Sequence, residues 1–291
     1  LEILKQAAPY VKGFEAMSLP DFVEVYGLDD WDISLPALKH FTQFASSEFA
    51  IRPFLDKDPD KGMEFMHSCA KDGHKNVRRF ASEGCRPRLP WAMALPKFKK
   101  DPTLIFPVLE KLKDDESEFV RRSVANNLND ISKDKPDLVL EICEKWHGTS
   151  KNTDDIIKHA LRTLLKEGNT RALKLFGFGD PHRIHIDNLQ LTDKNPKIGD
   201  EIYFSFDLHV KEDKKSKIRL EYAVNYQKAG GKFSQKIFQI IEKEYMLGAY
   251  SFKRKQTFMD MTTRKHYPGE HQISIIVNGE EKAKVSFDLR K

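Results

Sequence analysis

The tripeptide Val77-Arg78-Arg79 returns 43 residues later as Val120-Arg121-Arg122. Ile156-Ile157-Lys158 follows at a slightly shorter interval, and Phe44-Ala45-Ser46-Ser47-Glu48 echoes Phe80-Ala81-Ser82-Glu83 from about 35 residues upstream. Around these marks apolar residues fall at i, i+3 and i+4, as in Leu104, Val108, Leu112 and again in Leu138, Ile142, with Pro or Gly between runs. A period of about 40 residues holding two helices is that of a HEAT-like α-solenoid. One such unit cannot bury its apolar face alone. Neighbours must stack, and stacking builds a concave surface suited to a long ligand.

The period changes after Phe178-Gly179-Asp180-Pro181. Short alternating runs follow: Ile184-His185-Ile186, Ile202-Tyr203-Phe204-Ser205-Phe206, Ile218-Arg219-Leu220-Glu221-Tyr222, Gln272-Ile273-Ser274-Ile275 and Lys284-Val285-Ser286-Phe287. About seven strands in about 110 residues fit an antiparallel β-sandwich of Ig-like size. The expected order is therefore a helical repeat domain over residues 1–178, then a β-sandwich over 181–291.

Charge divides along the same line. Residues 1–180 hold 28 Lys+Arg against 29 Asp+Glu, whereas 181–291 hold 21 against 15, a net of +6. The helical half thus lacks a global basic field, and nucleic-acid affinity there must come from local clusters. The β half is expected to supply positive field to such binding. Cys69, Cys85 and Cys143 lie far apart with no CxxC pair, which argues against zinc and disulfides and for a cytoplasmic compartment. No run approaches the roughly 20 apolar residues of a membrane span. Walker A, GxGxxG and HExxH patterns are absent, and the ten histidines give no support to Ser–His–Asp chemistry. No cofactor or metal is expected.

Three repeats each offer one acid: Glu48, Glu83 and Asp130. Helical spacing places Val77, Phe80, Ala81 and Gly84 inward, with Arg79 and Glu83 on another face. It likewise groups Phe44, Glu48 and Arg52, and sets Arg122, Asn126, Asn129 and Asp130 opposite the stripe Val120, Val124, Leu128, Ile131. The plain alternative is a surface i, i+4 pair at Arg79–Glu83 and polar ladders tying repeats together. Trp146 reads as core or rim. The segment Gly84-Cys85-Arg86-Pro87-Arg88-Leu89-Pro90-Trp91 is less easily dismissed. Two prolines restrict the loop, two guanidinium forks suit phosphates, and an indole can lie against a sugar or base, although Trp91 could also plug the core between repeats.

With these residues in view, the chain resembles the AlkC branch of the AlkC/AlkD DNA alkylation repair glycosylases. The likeness rests on Ser47-Glu48-Phe49-Ala50-Ile51-Arg52-Pro53-Phe54, on Val77-Arg78-Arg79 running to Trp91, and on Val120-Arg121-Arg122-Ser123-Val124-Ala125-Asn126-Asn127-Leu128-Asn129-Asp130. Arg162-Thr163-Leu164 and Gly177-Phe178 extend it over nearly all of residues 1–178. Some members carry an Ig-like domain after the repeats. Relatives usually have helices before the segment at which this chain begins, so the resemblance implies a chain short of N-terminal helices.

The resemblance implies monofunctional hydrolysis of the N-glycosidic bond of cationic alkylated bases, notably N3-methyladenine and N3-methylcytosine, in base excision repair. It places Glu48, Glu83 and Asp130 around the sugar, with Trp91 close by. Arg79, Arg86, Arg88 and Arg122 would hold flanking phosphates, with Arg121 and Asn126 also at the DNA. The implied partner is double-stranded DNA carrying alkylated bases, bound by a monomer in the bacterial cytoplasm, nucleoid-associated when acting. Two other readings remain: a non-catalytic HEAT-repeat protein for bent or branched DNA, which would lose acids, and a protein-binding scaffold, which would present an apolar or acidic concave face.

Overall fold

The computed structural model of the chain describes all residues except 229–230 and 261–264. Two compact units are found, Leu1–Thr163 and Leu164–Lys291.

The first unit is helical. Its α-helices are α1 (Glu2–Ala7), α2 (Ser18–Tyr26), α3 (Trp31–Phe41), α4 (Arg52–Lys57), α5 (Pro59–Cys69), α6 (Lys75–Gly84), α7 (Pro96–Lys100), α8 (Phe106–Leu112), α9 (Glu118–Ser132), α10 (Pro136–Trp146) and α11 (Lys151–Ala160). Helix starts follow local chemistry. Asp58 caps α5 by accepting from Lys61 N at 3.1 Å, just before Pro59. Ser150 and Thr153 form a reciprocal capping box at α11. The apolar stripes land where spacing puts them: Val77, Phe80 and Ala81 on α6 and Val120, Val124 and Leu128 on α9 are all but inaccessible.

Gly84, the last residue of α6, is closely packed: a Cβ there would stand 2.7 Å from both Ile51 Cγ2 and Met66 Cε, so a larger residue requires those side chains to shift. Adjacent repeats are also joined by polar ties. Asn127 Nδ2 on α9 donates to Ser82 O on α6 at 2.8 Å, and Ser123 Oγ lies 3.0 Å from Ser82 Oγ. Arg78 binds Asp115 through Nε and Nη2 at 2.6 and 3.1 Å, fixing the turn before α9.

One expectation fails here. Phe44, Glu48 and Arg52 do not share a helical face, because α3 stops at Phe41 and turns run to the start of α4 at Arg52. Pro53 explains the break: it lacks an N–H and is tolerated only in the first helical turn, so a new helix must begin there. The period-four spacing was coincidental.

The second unit opens with α12 (Arg162–Lys166), whose first residues belong to the helical unit, and α13 (Thr170–Leu175). Seven antiparallel strands follow among the described residues: β1 (Ile184–Leu191), β2 (Glu201–Val210), β3 (Ser216–Gln227), β4 (Phe233–Tyr245), β5 (Gly248–Thr257), β6 (Gly269–Val277) and β7 (Glu280–Leu289). They form a three-stranded sheet ordered β1-β2-β5 and a four-stranded sheet ordered β4-β3-β6-β7. Ile202, Phe204, Phe206, Leu208 and Val210 point inward at every second position of β2. They meet Ile218, Leu220, Val224, Ile273, Ile275 and Val277 in one core. No helix among the described residues is long and apolar enough to cross a membrane.

Candidate active site

Each acid arrives from a different repeat. Glu48 sits in the turns before α4, Glu83 on the last turn of α6, and Asp130 near the end of α9. Two arginines join them. Arg79 Nη1 donates to Glu48 Oε1 at 3.2 Å, and its Nη2 lies 3.5 Å from Glu83 Oε1. Arg86 Nη1 donates to the same Glu83 oxygen at 2.6 Å, while its Nε donates to Asp130 Oδ2 at 2.8 Å. The order Glu48–Arg79–Glu83–Arg86–Asp130 is thus one continuous ion cluster.

The cluster is secluded. Glu48, Glu83 and Asp130 are 7%, 6% and 2% exposed, so Arg79–Glu83 is no loose surface pair. Three carboxylates are matched by the Arg79 and Arg86 guanidiniums and by Lys133, whose Nζ reaches Asp130 Oδ1 from the rim at 3.2 Å, so the charges are paired in a poorly solvated place. Burial works against the charge on Arg86, but the Glu83 and Asp130 carboxylates outweigh it and hold its pKa above the ordinary value. Ser123 Oγ donates to Glu83 Oε2 at 2.6 Å, occupying the second oxygen of that acid. Glu48 differs: its Oε2 is buried with no hydrogen-bond partner among the described residues.

A family model described as "DNA alkylation repair enzyme" matches residues 42–167, and one described as "Uncharacterised protein YhaZ, C-terminal Ig-like domain" matches 185–291. The uncharacterized protein YhaZ of Bacillus subtilis (strain 168) is 47% identical over 290 residues, covering 99% of this chain and 81% of YhaZ. The structure of Pseudomonas fluorescens alkylpurine DNA glycosylase AlkC bound to DNA containing an abasic site analog superposes with a TM-score of 0.94 at 41% identity, covering all of this chain and 81% of that one. The chain belongs to the AlkC branch of the AlkC/AlkD DNA alkylation repair family.

In this AlkC-family chain the loop after α6 presents its residues unequally. Trp91 is 99% exposed with φ of 64°, so it is no plug between repeats. A bulky residue holds left-handed backbone only where the surroundings impose it. Arg88 binds Asp134 through Nε and Nη2 at 3.0 and 2.6 Å at the solvent edge. Arg86, expected beside it at a phosphate, is 7% exposed and its guanidinium is occupied by two carboxylates. Burial and ion pairing make it an internal counter-ion.

The remaining candidates lie on α9. Arg122 is exposed and pairs with Glu118 at 2.9 Å, while Arg121 Nη1 donates to Asp115 O and Glu116 O at 2.6 and 3.0 Å, closing the turn behind it. Asn126 Oδ1 lies 2.9 Å from His159 Nε2 and accepts from Arg162 Nη2 at 3.2 Å. Burial, then the Arg162 and Arg122 charges, lower the His159 pKa. Glu118, Arg122 and His159 border a cleft of about 320 Å³ between α9 and α11. Asn129 and Asp130 do not line up with Arg122 at the surface. Both are 2% exposed, Asn129 accepting from Thr163 at 2.9 Å.

Ser123, Phe119 and His159, which touch Glu83, Arg79 and Asn126, are not singled out by the sequence. Phe119 lies under the Arg79 guanidinium, 4.6 Å from centroid to carbon, on the first turn of α9. Only Ser123 carried a signal, by following the repeated Val-Arg-Arg. The three cysteines are buried and free, and burial pushes their thiols up to about 12, so none is a ready nucleophile.

Proposed function

We propose that this chain is a monofunctional DNA glycosylase that removes cationic alkylated bases, N3-methyladenine and N3-methylcytosine, from duplex DNA. The observation that carries the reading is the convergence of Glu48, Glu83 and Asp130 from three repeats into one buried cluster. A structural tie between repeats has no use for a carboxylate oxygen left without a donor, and Glu48 Oε2 has none among the described residues.

Methylation leaves the base cationic and its bond to C1′ weak. When that bond breaks, its electron pair leaves with the base, which becomes neutral without a proton from the protein. Positive charge then develops on the deoxyribose, where fixed carboxylates stabilise it electrostatically. Water attacks C1′ and gives up its proton; Glu48 suits this role because its Oε2 has no competing donor. Arg86 and Ser123 hold Glu83 in place, and Arg86 holds Asp130. Trp91, at the exposed crest of the loop, packs near the sugar, while Arg79, Arg88 and Arg122, with Asn126, face the backbone. Arg86 acts within the acid cluster, and Arg121 braces the turn before α9. Phosphate contacts of this kind make binding insensitive to sequence and sensitive to salt.

In this proposal the protein acts as a monomer in the bacterial cytoplasm, and the β-sandwich, with the +6 of residues 181–291, adds positive field for DNA. Release of free base from methylated duplex, against unmodified duplex, is the direct test. Tight binding without release of any methylated base would leave the non-catalytic reading in its place.

A further inference from the structure

Among the described residues Arg52 is the largest side chain that is fully buried, and its hydrogen bonds go to backbone carbonyls. Its Nη1 donates to Gly84 O and Arg86 O, both at 2.9 Å, and its Nε donates to Met93 O at 2.6 Å. Gly84 closes α6, and Met93 lies beyond Trp91 on the far side of the loop. One guanidinium therefore clasps both ends of the segment that carries Arg86, Arg88 and Trp91.

A buried arginine is an expensive way to close a loop. Charge is costly to remove from water, and replacing a buried ion with an apolar side chain is often neutral or stabilising. Here burial lowers the pKa to about 10, which still leaves Arg52 cationic at neutral pH, and its Nη2 has no partner among the described residues. What the cost secures is geometry. A rigid planar fork sets the positions of three carbonyls at once, which neither a lysine nor an apolar residue can do. Of those carbonyls, one belongs to Gly84, the residue after Glu83, and one to Arg86 itself. The third anchors the return of the chain after Trp91.

We infer that Arg52 is a positioning residue for the acid cluster: it fixes the backbone at Gly84 and Arg86 so that Arg86 spans Glu83 and Asp130, and at Met93 so that Trp91 stands clear of the surface. This rests on the glycosylase reading for its kinetic consequence, but not for its structural one.

The test uses the full chain with Arg52→Lys, which keeps the charge and loses the fork, and Arg52→Met, which loses both. Single-turnover release of N3-methyladenine from methylated duplex is measured below the melting range of each variant, together with affinity for an abasic-site duplex. Iodide quenching reports Trp91 directly, because Trp31 and Trp146 are 9% and 3% exposed. We expect folded variants with altered iodide quenching, near-parental affinity and excision slowed by about 10- to 100-fold. Because Arg52 acts through Arg86, adding Arg52→Lys to Arg86→Gln should slow excision little further. Parental excision by either folded variant, full additivity with Arg86→Gln, or failure of both variants to fold would overturn the assignment. If the parental chain releases no base, the glycosylase reading falls, while unchanged iodide quenching in the variants would separately sink the clasp.

Discussion

Arg86 and Asp130 are 44 residues apart in sequence and joined by a 2.8 Å hydrogen bond, Nε to Oδ2, in a region where both side chains are nearly inaccessible. The same guanidinium holds Glu83 at 2.6 Å, so two acids share one buried cation. Arg86→Gln should therefore destabilise the helical unit by about 3–5 kcal/mol, the usual consequence of leaving buried charge unpaired. Chemical denaturation reads this directly. A midpoint unchanged from the parent would mean the cluster is far better hydrated than its burial indicates.

Isosteric neutralisation separates the acids from one another. If they face developing positive charge, Glu48→Gln, Glu83→Gln and Asp130→Asn each slow single-turnover excision by about 10²–10³-fold. Their effects on stability should differ. Glu83 and Asp130 share Arg86, whereas Glu48 has one oxygen without a partner, so Glu48→Gln should shift the melting temperature least. Double variants should be less than additive in rate, since all three act at one sugar. Three folded variants excising at the parental rate would end the catalytic assignment.

Salt dependence distinguishes the two loop arginines. Arg88 is partly exposed and paired with Asp134 at the surface, so Arg88→Ala should reduce the slope of log affinity against log salt by about one. Arg86, already neutralised by two carboxylates, should make no such contribution. Fluorescence titrations of an abasic-site duplex over a range of salt concentrations measure both, and equal slopes for parent and Arg88→Ala would remove this loop from the phosphate contacts.

Acid should weaken the β-sandwich through His271. This side chain is inaccessible, and burial lowers its pKa, helped by His266 and opposed by a bond to Gly269 O and by Asp288. The unfolded imidazole titrates near 6.5. Above about that pH both states are neutral and stability is unaffected. As pH falls below it, only the unfolded state takes up the proton, and stability declines until folded His271 titrates as well. Thermal melts of the second unit at pH 7.5 and 5.5 should show the loss, and His271→Leu should flatten it. A parental slope in that variant would assign the effect to other groups.

Much of this was available from the sequence. The change of hydrophobic period near Gly177–Pro181 gave helices before strands, because which face is buried is a local property of i, i+4 or i, i+2 spacing. The same regularity placed Glu83 on α6 and Asp130 on α9. It misjudged 44–52, where Pro53 forces a fresh helix and a chance spacing of four looked helical. What stacking of the repeats alone decided is which charge meets which. Arg79 reaches Glu48 across 31 positions and Ser123 reaches Glu83 across 40, distances over which spacing carries no information. For the same reason Arg86 and Arg88, two residues apart on one loop, could not be told apart by type: one turns into a carboxylate cluster and the other to the solvent edge, and only the neighbouring helices make that difference.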